Sequence, residues 1–485
     1  MKRELKELLS EIPYLAMNGK DEQLVTGIYH DSRAVRPGGL FVAIPGKQTD
    51  GHEYISEAIE NGARVVFGEI PFSEVEPGPE TYVRVRDSRK SLSRISHVFY
   101  GKPTKKLFVA GITGTNGKTT TAHLTAHLLG KYTDSITTLT RSDSNPEKEP
   151  VTTPEAPVIH EIAHEDLHQG VKNLVMEVSS HGLSMDRVSQ VDFDCGVFTN
   201  LTRDHLDFYE SMKDYAAEKL KLFSYLSEDS TAIVNSDEEL STKIGQKTEA
   251  DVLKYGIREP AEIVAEKINK STRGVEFRIN SPWGTETVKL SFPGLYNVYN
   301  ALAAVSVGLT RGKDFSRIIR RLETAERLSG RLEEINLNNG SDVYIDFAHN
   351  PGALESTLKE LQDHYDKVLL VFGCGGMSDR GKRPEMGEVA TVYADRFFLT
   401  DDNPKKEDRH KILREIEQGV GTTADYESIP NRKTAIETAI EELTRDSCLL
   451  VAGKGHESYQ IVSGNLIEYN DTEFVKETAK EKGLI

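Results

Sequence analysis

The stretch Gly111-Ile-Thr-Gly-Thr-Asn-Gly-Lys-Thr119 lies between an apolar run, KLFVAGI, and a helix-like run, TTTAHLTAHLLG. A strand that leads through a glycine-rich turn into a helix is the layout of a phosphate-binding loop, because glycines let backbone N–H groups converge on phosphate oxygens. In such a loop Lys118 reaches the outer phosphates and Thr119 can ligate Mg²⁺. Ile112 occupies the first glycine position of G-x-x-x-x-G-K-[ST], so an ordinary turn before a helix is the alternative. The strand–turn–helix context favours ATP binding.

Strand-like and helix-like segments alternate on both sides of this loop, which predicts parallel sheets. Short strands and one helix near EYISEAIENG are expected within residues 1–100, followed by a linker at Lys102-Pro103-Thr104. Further strands are expected at NLVMEVSS, CGVFTNL and TAIVNSD, then at VYIDFAH, KVLLVFGCGG, RFFLTDDNP and CLLVAGKG. The predicted domains are 1–100, 101–331 and 332–485. Ligands of open parallel sheets bind at the carboxyl ends of strands, so the turns there are the candidate sites.

Composition limits the class of protein. The chain has 485 residues, of which 37% are hydrophobic and 28% charged, and no run of eighteen apolar residues that could span a membrane. Its three cysteines, Cys195, Cys374 and Cys448, are far apart, which suits a reducing compartment. The first residues, MKRELKELLSEIPYL, lack the apolar core of a signal peptide, so we expect a cytoplasmic protein. The net charge of −17 argues against non-specific binding to nucleic acid or anionic membranes, although it also serves solubility.

The offset spelling of the loop resembles that of the Mur ligases and of their relative folylpolyglutamate synthase. Other stretches are similar to Mur ligases, above all to the members that add the third residue of the peptidoglycan peptide: DSRAVRPGGLFVAIPG (31–46), TTPEA (152–156), MEVSSHGLSMDRV (176–188), FTNLTRDHLDF (198–208), YAAEKLKLF (215–223), NVYNALAA (297–304), DFAHNP (346–351), FGCGG…GKRPEMG (372–387), DDNP (401–404) and AGKGHE (452–457). The resemblance covers nearly the whole chain. It implies an α/β fold of three domains: a central P-loop parallel-sheet ATPase domain, an N-terminal UDP-substrate domain and a C-terminal Rossmann-like domain that binds the amino acid.

The resemblance also implies roles for the residues around the loop. Glu177 ends the apolar run NLVM and His205 lies in Asp-His-Leu-Asp; each residue type alone is more often structural. In the family's pattern they hold a second Mg²⁺, while Thr119 serves the first. Lys219, in Y-x-x-x-K-x-x-L-F, matches the family's carbamylated lysine (N6-carboxylysine), an anionic oxygen donor that the resemblance adds to Thr119, Glu177 and His205 as a ligand of Mg²⁺. The implied catalytic residues are Lys118, Lys219 and His205. The implied ATP-binding residues are Thr113, Gly114, Thr115, Asn116, Gly117, Lys118, Thr119, Asn300, Arg331, Asp346 and His349.

Two further sets match the family's substrate sites. The implied UDP-substrate residues are Ser32, Thr152, Thr153, Ser179 and Arg187, and the implied amino-acid residues are Ser378, Asp402, Asn403, Lys405, Gly453 and Glu457. Members that add meso-diaminopimelate carry D-N-P-R and G-G-D-R-D, whereas this chain has Lys405 and Ser378 at the two Arg positions. The planar guanidinium of arginine binds a carboxylate through two parallel hydrogen bonds, whereas lysine offers a single flexible ammonium and serine no charge. Lys405 would also repel the ammonium of lysine, so the amino acid stays open.

The implied reaction uses ATP and Mg²⁺ to activate the D-glutamate carboxylate of UDP-N-acetylmuramoyl-L-Ala-D-Glu as an acyl phosphate, which a free amino acid then attacks. We expect a monomer without nucleic-acid partners. Three alternatives remain: a paralogue with another substrate, a folylpolyglutamate-synthase-like ligase, and a non-catalytic nucleotide-binding regulator. The N-terminal module DSR…LFVAI…DGH argues against the second, and the intact loop, metal set and lysine argue against the third.

Overall fold

The computed structural model describes residues 1–46, 49–140 and 151–485. Within them, three large sheets follow one another along the chain, of five, nine and six strands, beside two small two-stranded sheets. Separate clusters of buried apolar side chains cover the two faces of each large sheet. This is a layered α/β architecture.

The N-terminal part is built on the five-stranded sheet, in the order β2-β7-β6-β5-β4. Its strands are β1 (Arg3–Glu4), β2 (Ala16–Asn18), β3 (Leu24–Val25), β4 (Ile28–Tyr29), β5 (Gly39–Val42), β6 (Ala63–Gly68) and β7 (Thr81–Arg84); its helices are α1 (Leu5–Leu9), α2 (Ile55–Glu60) and α3 (Ser88–Phe99). The prediction of one helix here was wrong. The apolar period of α3 is hidden because serines, including Ser93 and Ser96, occupy much of its buried face.

The central part contains the nine-stranded sheet, in the order β16-β15-β14-β13-β12-β11-β8-β10-β9. The strands are β8 (Phe108–Thr113), β9 (Thr133–Ile136), β10 (Asn173–Glu177), β11 (Cys195–Phe198), β12 (Thr231–Asn235), β13 (Asp251–Gly256), β14 (Ile263–Ser271), β15 (Gly274–Ser281) and β16 (Gly284–Leu290). The helices are α4 (Lys118–Leu129), α5 (Ala156–Gln169), α6 (Ser180–Ser184), α7 (Met212–Ser224), α8 (Leu240–Lys247), α9 (Leu295–Thr310) and α10 (Phe315–Leu322). Strand β8 is buried throughout, and the loop that follows it leads directly into α4.

The C-terminal part contains the six-stranded sheet, in the order β17-β18-β22-β19-β20-β21. The strands are β17 (Glu333–Asn336), β18 (Asp342–Asp346), β19 (Lys367–Phe372), β20 (Arg396–Leu399), β21 (Tyr426–Ser428), β22 (Ser447–Ala452), β23 (Tyr459–Val462) and β24 (Asn465–Glu468). The helices are α11 (Pro351–Gln362), α12 (Lys382–Tyr393), α13 (Arg409–Glu417), α14 (Arg432–Glu441) and α15 (Asp471–Glu481).

The expectation of parallel sheets holds for most of each sheet, including the edge strands β4, β9 and β21. Antiparallel pairs add β2 to the first sheet, β15 and β16 to the second and β17 to the third. The predicted linker is also ordered: Pro103 and Thr104 are buried in a short 3₁₀ helix, and Thr104 Oγ1 donates a 2.7 Å hydrogen bond to Asp192. The limits of the three predicted domains remain a prediction.

No helix in the described ranges is both long enough and apolar enough to cross a lipid bilayer.

Candidate active site

A cavity of about 580 Å³ opens between the central and C-terminal sheets. It lies at the carboxyl ends of β8, β10, β11, β12 and β18, where open parallel sheets bind their ligands. The first turns of α4, α9 and α11 and the loops after β20 and β22 also line it. The cavity therefore brings together residues from two of the predicted domains.

Most of the predicted site residues line this cavity. They are Thr115, Asn116, Gly117, Lys118, Thr119, Thr152, Glu177, His205, Asn300, Arg331, Asp346, His349, Asn403, Lys405 and Glu457. The predicted residues that are not part of its lining, among those the structure describes, are Ser32, Thr113, Gly114, Thr153, Ser179, Arg187, Lys219, Ser378, Asp402 and Gly453.

The phosphate loop is held closed by the turn after β11. Thr115 N donates to Asn200 O at 2.9 Å, and Asn116 O accepts hydrogen bonds from Thr199 Oγ1 at 2.7 Å and from Asn200 Nδ2 at 3.1 Å. Gly117 has a φ of +82°, and a Cβ there would overlap Asn300 Oδ1. The backbone is thus fixed in the conformation that points N–H groups at a helix N-terminus, where anions bind.

A half-buried lysine, Lys118, and a buried one, Lys219, meet at the loop. Lys118 Nζ donates to the carbonyl oxygens of Gly114 at 3.1 Å and Thr115 at 2.8 Å. Lys219 Nζ donates to the same Gly114 oxygen at 2.7 Å. Burial lowers the pKa of both amines, and the positive charge of Lys118 lowers the pKa of Lys219 further. Lys219 is therefore the amine that most readily becomes neutral.

The candidate metal ligands converge at one end of the cavity. Glu177 is buried, and its Oε1 accepts a 3.0 Å hydrogen bond from Thr138 N. His205 follows β11, and burial lowers the pKa of its imidazole, which favours the neutral form that ligates metals. Thr119 Oγ1 accepts a 3.3 Å hydrogen bond from Arg331 Nη2.

This donor set fits Mg²⁺ in part. The oxygens of Glu177 and Thr119 suit a hard cation, whereas imidazole is a less typical ligand for Mg²⁺. Within the described part of the chain, no group of three or more His, Cys, Asp and Glu side chains could hold a metal ion. A bound ion would therefore depend on phosphate oxygens and water, as Mg²⁺ at nucleotide sites commonly does.

The C-terminal part closes the cavity over the loop. Asp346 Oδ2 accepts a hydrogen bond from Leu332 N at 2.7 Å, which fixes the turn that holds Arg331. The Arg331 guanidinium lies 4.6 Å from the ring centre of Phe347. His349 Nδ1 lies 2.8 Å from Phe347 O, so its other ring nitrogen can face the cavity. Asn300 lies in the second turn of α9, where its Nδ2 donates to Asn297 Oδ1 at 2.9 Å.

Three of the predicted UDP-substrate residues form one network beside β10. Thr153 Oγ1 donates to Glu177 O and accepts a hydrogen bond from Ser179 N, both at 2.9 Å. Arg187 Nη1 donates to Thr153 O at 2.8 Å. Ser32 lies apart from them in the N-terminal part, where its hydroxyl donates to Glu57. The structure thus groups Thr153, Ser179 and Arg187 and leaves Ser32 on another domain.

The predicted amino-acid residues come from three loops of the C-terminal sheet. Asn403 Nδ2 donates to Glu457 Oε2 at 3.0 Å, and the buried Lys454 donates to the same oxygen at 2.7 Å. Burial raises the pKa of Glu457, and Lys454 opposes that shift. Lys405 lines the cavity nearby.

The other predicted amino-acid residues, Asp402, Gly453 and Ser378, make hydrogen bonds to neighbouring segments or within their own turn and are not part of the cavity lining. Asp402 O accepts a hydrogen bond from Gln460, and Gly453 N donates to Asp346 O at 3.0 Å. Ser378 Oγ donates to Gly375 O within its own turn.

Several residues around the cavity were not predicted from sequence. Asp237, Arg258 and Tyr299 form a polar wall, in which Tyr299 Oη donates to Asp237 Oδ2 at 2.6 Å. Asp237 and Arg258 match no motif that we identified, whereas Tyr299 lies within the quoted stretch NVYNALAA, next to the predicted Asn300. Asp204 and Lys454 lie within quoted motifs, where a carboxylate beside His205 and a lysine between glycines were the available signals.

Family comparisons match three successive segments of the chain. "Mur ligase family, catalytic domain" matches residues 24–100, "Mur ligase middle domain" matches 112–308, and "Mur ligase, glutamate ligase domain" matches 330–455. A UDP-N-acetylmuramoyl-L-alanyl-D-glutamate--2,6-diaminopimelate ligase of Bacillus velezensis is 40% identical over 462 residues, which cover 93% of each chain. The enzyme of the same name from Caldanaerobacter subterraneus is 39% identical and covers 98% of this chain and 99% of its own.

Solved structures agree with these relatives. A UDP-N-acetylmuramoyl-L-alanyl-D-glutamate--2,6-diaminopimelate ligase aligns over all of both chains with a TM-score of 0.67 and 27% identity. MurF from Acinetobacter baumannii aligns over 99% of both chains with a TM-score of 0.71; at 18% identity it supports the fold alone. The predicted three-part α/β fold is confirmed, and the chain belongs to the Mur ligase family.

Proposed function

We propose that this chain is an ATP-dependent ligase that joins 2,6-diaminopimelate to the D-glutamate carboxylate of UDP-N-acetylmuramoyl-L-alanyl-D-glutamate. The observation that supports it most is the shared cavity: Lys118 of the phosphate loop and Glu457 of the amino-acid loops line the same space. The names of the full-length relatives supply the two substrates. The reaction would contribute to peptidoglycan precursors in the cytoplasm.

In the first step, an oxygen of the D-glutamate carboxylate attacks the γ-phosphorus of ATP, and the bond from that phosphorus to ADP breaks. Lys118 and Arg331 flank Thr119 at the phosphate end of the cavity and offset the charge that develops on the transferred group. The product is an acyl phosphate. Closure of the C-terminal part over the loop would keep water away from this reactive species.

Mg²⁺ would be held by Thr119 at one position and by Glu177 and His205 at another. When bound, it would neutralise negative charge on the phosphate oxygens and help to align them. Thr138 N orients the Glu177 carboxylate by its 3.0 Å hydrogen bond, so this ligand is positioned by the protein itself.

Lys219 is proposed to be carbamylated. A neutral amine is needed to add CO₂, and the product is an anionic carbamate plus a proton. The burial of Lys219 and its proximity to Lys118 both favour the neutral amine. The carbamate would then compensate the charge of Lys118 and hold it towards the phosphates.

In the second step, an amine nitrogen of the amino acid attacks the acyl carbon, the bond from that carbon to the phosphate oxygen breaks, and the nitrogen releases a proton. Glu457, fixed by Asn403 and Lys454, is the carboxylate available to bind an ammonium group in this part of the cavity. Lys405 also lines the cavity, and its ammonium would contact a carboxylate of the amino acid.

A second candidate is a ligase of the same type that adds another amino acid. It is favoured by Lys405 and Ser378, which replace the arginines that we expect in members adding meso-diaminopimelate. Ser378 is hydrogen-bonded within its own turn, so it contributes little to a distant carboxylate.

The test is ADP release by purified protein with ATP, Mg²⁺ and UDP-N-acetylmuramoyl-L-alanyl-D-glutamate, screened against meso-diaminopimelate, L-lysine, L-ornithine and simple amino acids. We expect release only when both the nucleotide dipeptide and diaminopimelate are present. Turnover with another amino acid would select the second candidate, and rapid ATP hydrolysis without either substrate would contradict both. We further propose that the protein is a monomer, which gel filtration with light scattering tests.

A further inference from the structure

Asp204 lies where the central and C-terminal parts meet, and groups from both parts surround its carboxylate. Lys382 Nζ at the start of α12 is 3.4 Å from Oδ1, and Asn350 Nδ2 at the start of α11 is 3.3 Å from Oδ2. His349 Nε2 lies 3.5 Å from the same Oδ2. Asp204, Asn350 and Lys382 are buried, so these contacts form a polar junction inside the closed molecule.

A buried carboxylate is costly unless it is paired and hydrogen-bonded. The Asp204 carboxylate meets this condition, because it forms an ion pair with Lys382 and accepts a hydrogen bond from Asn350. The stabilising cation comes from the C-terminal part, so it is present only when that part is docked. Separation of the two parts would expose the Asp204 carboxylate to water and remove its cationic partner.

Asp204 belongs to the turn that presents His205. His205 has a φ of +57°, a left-handed conformation that is uncommon for residues other than glycine, and its N–H donates to Asp204 Oδ1 at 3.0 Å. The preceding residue, Arg203, forms ion pairs with Asp379 at 3.4 Å and Glu385 at 2.9 Å in the C-terminal part. The docked C-terminal part therefore holds both residues before His205.

The same junction reaches the phosphate loop through a pair of amides. Asn350 Nδ2 donates to Asn116 Oδ1 at 2.9 Å, and Asn116 Nδ2 lies 3.3 Å from Asn350 Oδ1. Asn350 also caps α11, since its Oδ1 accepts a hydrogen bond from Ala353 N. Asn350, at the start of α11, thus contacts both Asn116 of the phosphate loop and the carboxylate of Asp204 beside His205.

We propose that Lys382 is a positioning residue that couples docking of the C-terminal part to ordering of the 202–205 turn and, through Asn350, of the phosphate loop. Lys382 contacts Asp204 and acts through it. The inference rests on the proposed function in one respect, because that function gives His205 and the loop their place at the phosphates. Its consequence is that the phosphates are correctly bound only in the closed molecule.

The test compares Lys382→Met and Lys382→Arg with a matched control, Lys270→Met. Lys270 bridges the same two parts at Glu360, 3.2 Å away, but does not contact Asp204. Hydrogen exchange of the full-length protein in EDTA follows the amides of residues 114–118 and 200–209. We expect Lys382→Met to speed exchange in both segments, Lys382→Arg to restore much of the protection, and Lys270→Met to leave both segments unchanged.

Kinetics supply the second readout. Lys382→Met should lower kcat by about 10- to 100-fold, as is typical when a partner of a ligand is removed, with little change in KM for the nucleotide dipeptide. If the amides of both segments exchange equally fast in Lys382→Met and Lys270→Met, Lys382 contributes only to the general stability of the interface. That result would overturn the proposal. If the unaltered protein ligates none of the screened amino acids, the proposed function fails, while the exchange comparison still decides the coupling.

Discussion

Lys219 donates a 2.7 Å hydrogen bond to the carbonyl oxygen of Gly114, and Lys118 donates to the same oxygen at 3.1 Å. Two amines therefore share one acceptor in a buried space, where like charges repel strongly. Lys219 also lies 4.2 Å from the ring centre of Tyr215. Conversion of Lys219 to a carbamate would replace this repulsion by attraction.

We predict that Lys219→Ala abolishes ligation and that short carboxylic acids such as acetate or formate partly restore it. An added carboxylate can occupy the space left by the side chain and supply the anionic oxygen of the carbamate. ADP release with and without added acid is the measurement. Lys221→Ala is the control, because Lys221 lies on the exposed side of α7 in an ion pair with Glu218. Full activity of Lys219→Ala would rule out the carbamate role.

Gly117 and Gly170 allow a matched test of the phosphate loop. Their φ values are +82° and +80°, but a Cβ at Gly117 would overlap Asn300 Oδ1, whereas a Cβ at Gly170 meets nothing within 4 Å. Gly117→Ala should weaken ATP binding at least about tenfold, because the loop must shift as well as adopt an unfavourable φ. Gly170→Ala should cost only about 1 kcal/mol of stability. Calorimetric titration with ATP and thermal unfolding measure the two effects, and equal loss of ATP binding in both variants would contradict the steric argument.

Lys405 and Lys406 are adjacent, but Lys405 lines the cavity and Lys406 is exposed. We predict that Lys405→Ala raises KM for diaminopimelate about fivefold, since a partly exposed charge pair of this kind contributes on the order of 1 kcal/mol. KM for ATP should not change, and Lys406→Ala should behave as the unaltered protein. An unchanged KM for diaminopimelate in Lys405→Ala would exclude Lys405 from recognition of the amino acid.

The centre of each sheet was predictable because its strands are continuous buried apolar runs, as in β8, β10 and β22. The edges were not. In β16, GTETVKL, polar residues are largely exposed and only Val288 and Leu290 are buried, so the segment has no apolar run to detect. Side chains that pack on one face only give a weak signal in a single sequence.

The candidate site also has a part that the sequence predicts and a part that it does not. Lys118, Thr119 and Glu177 follow strands directly, so local motifs and the rule for strand ends located them. The contacts between the central and C-terminal parts join distant segments: Asn116 and Asn350 are 234 residues apart, and Lys382 and Asp204 are 178 apart. No periodicity or motif spacing relates such positions, because only the docking of two sheets brings them together.

His160 is a buried histidine outside the site. It lies on α5, with its ring centre 5.1 Å from that of His97 on α3, and neither ring nitrogen has a hydrogen-bond partner among the described residues. Burial, with a smaller effect of His97, lowers the pKa of His160 to about 3. The unfolded chain, with a histidine pKa of about 6.5, therefore binds this proton more readily than the folded one, so stability falls as pH decreases below 6.5.

We predict that His160 accounts for a loss of roughly 1.4 kcal/mol in unfolding free energy between pH 7.5 and pH 5.5, since each pH unit below its unfolded pKa costs about that much. His160→Leu removes the titrating group without breaking a hydrogen bond that the described residues make, so the urea midpoint of this variant should depend less on pH. His410→Leu, at an exposed position on α13, should keep the pH dependence of the unaltered protein. Parallel pH profiles for His160→Leu and the unaltered protein would mean that His160 is protonated at little cost in the folded state, for example because water reaches its ring.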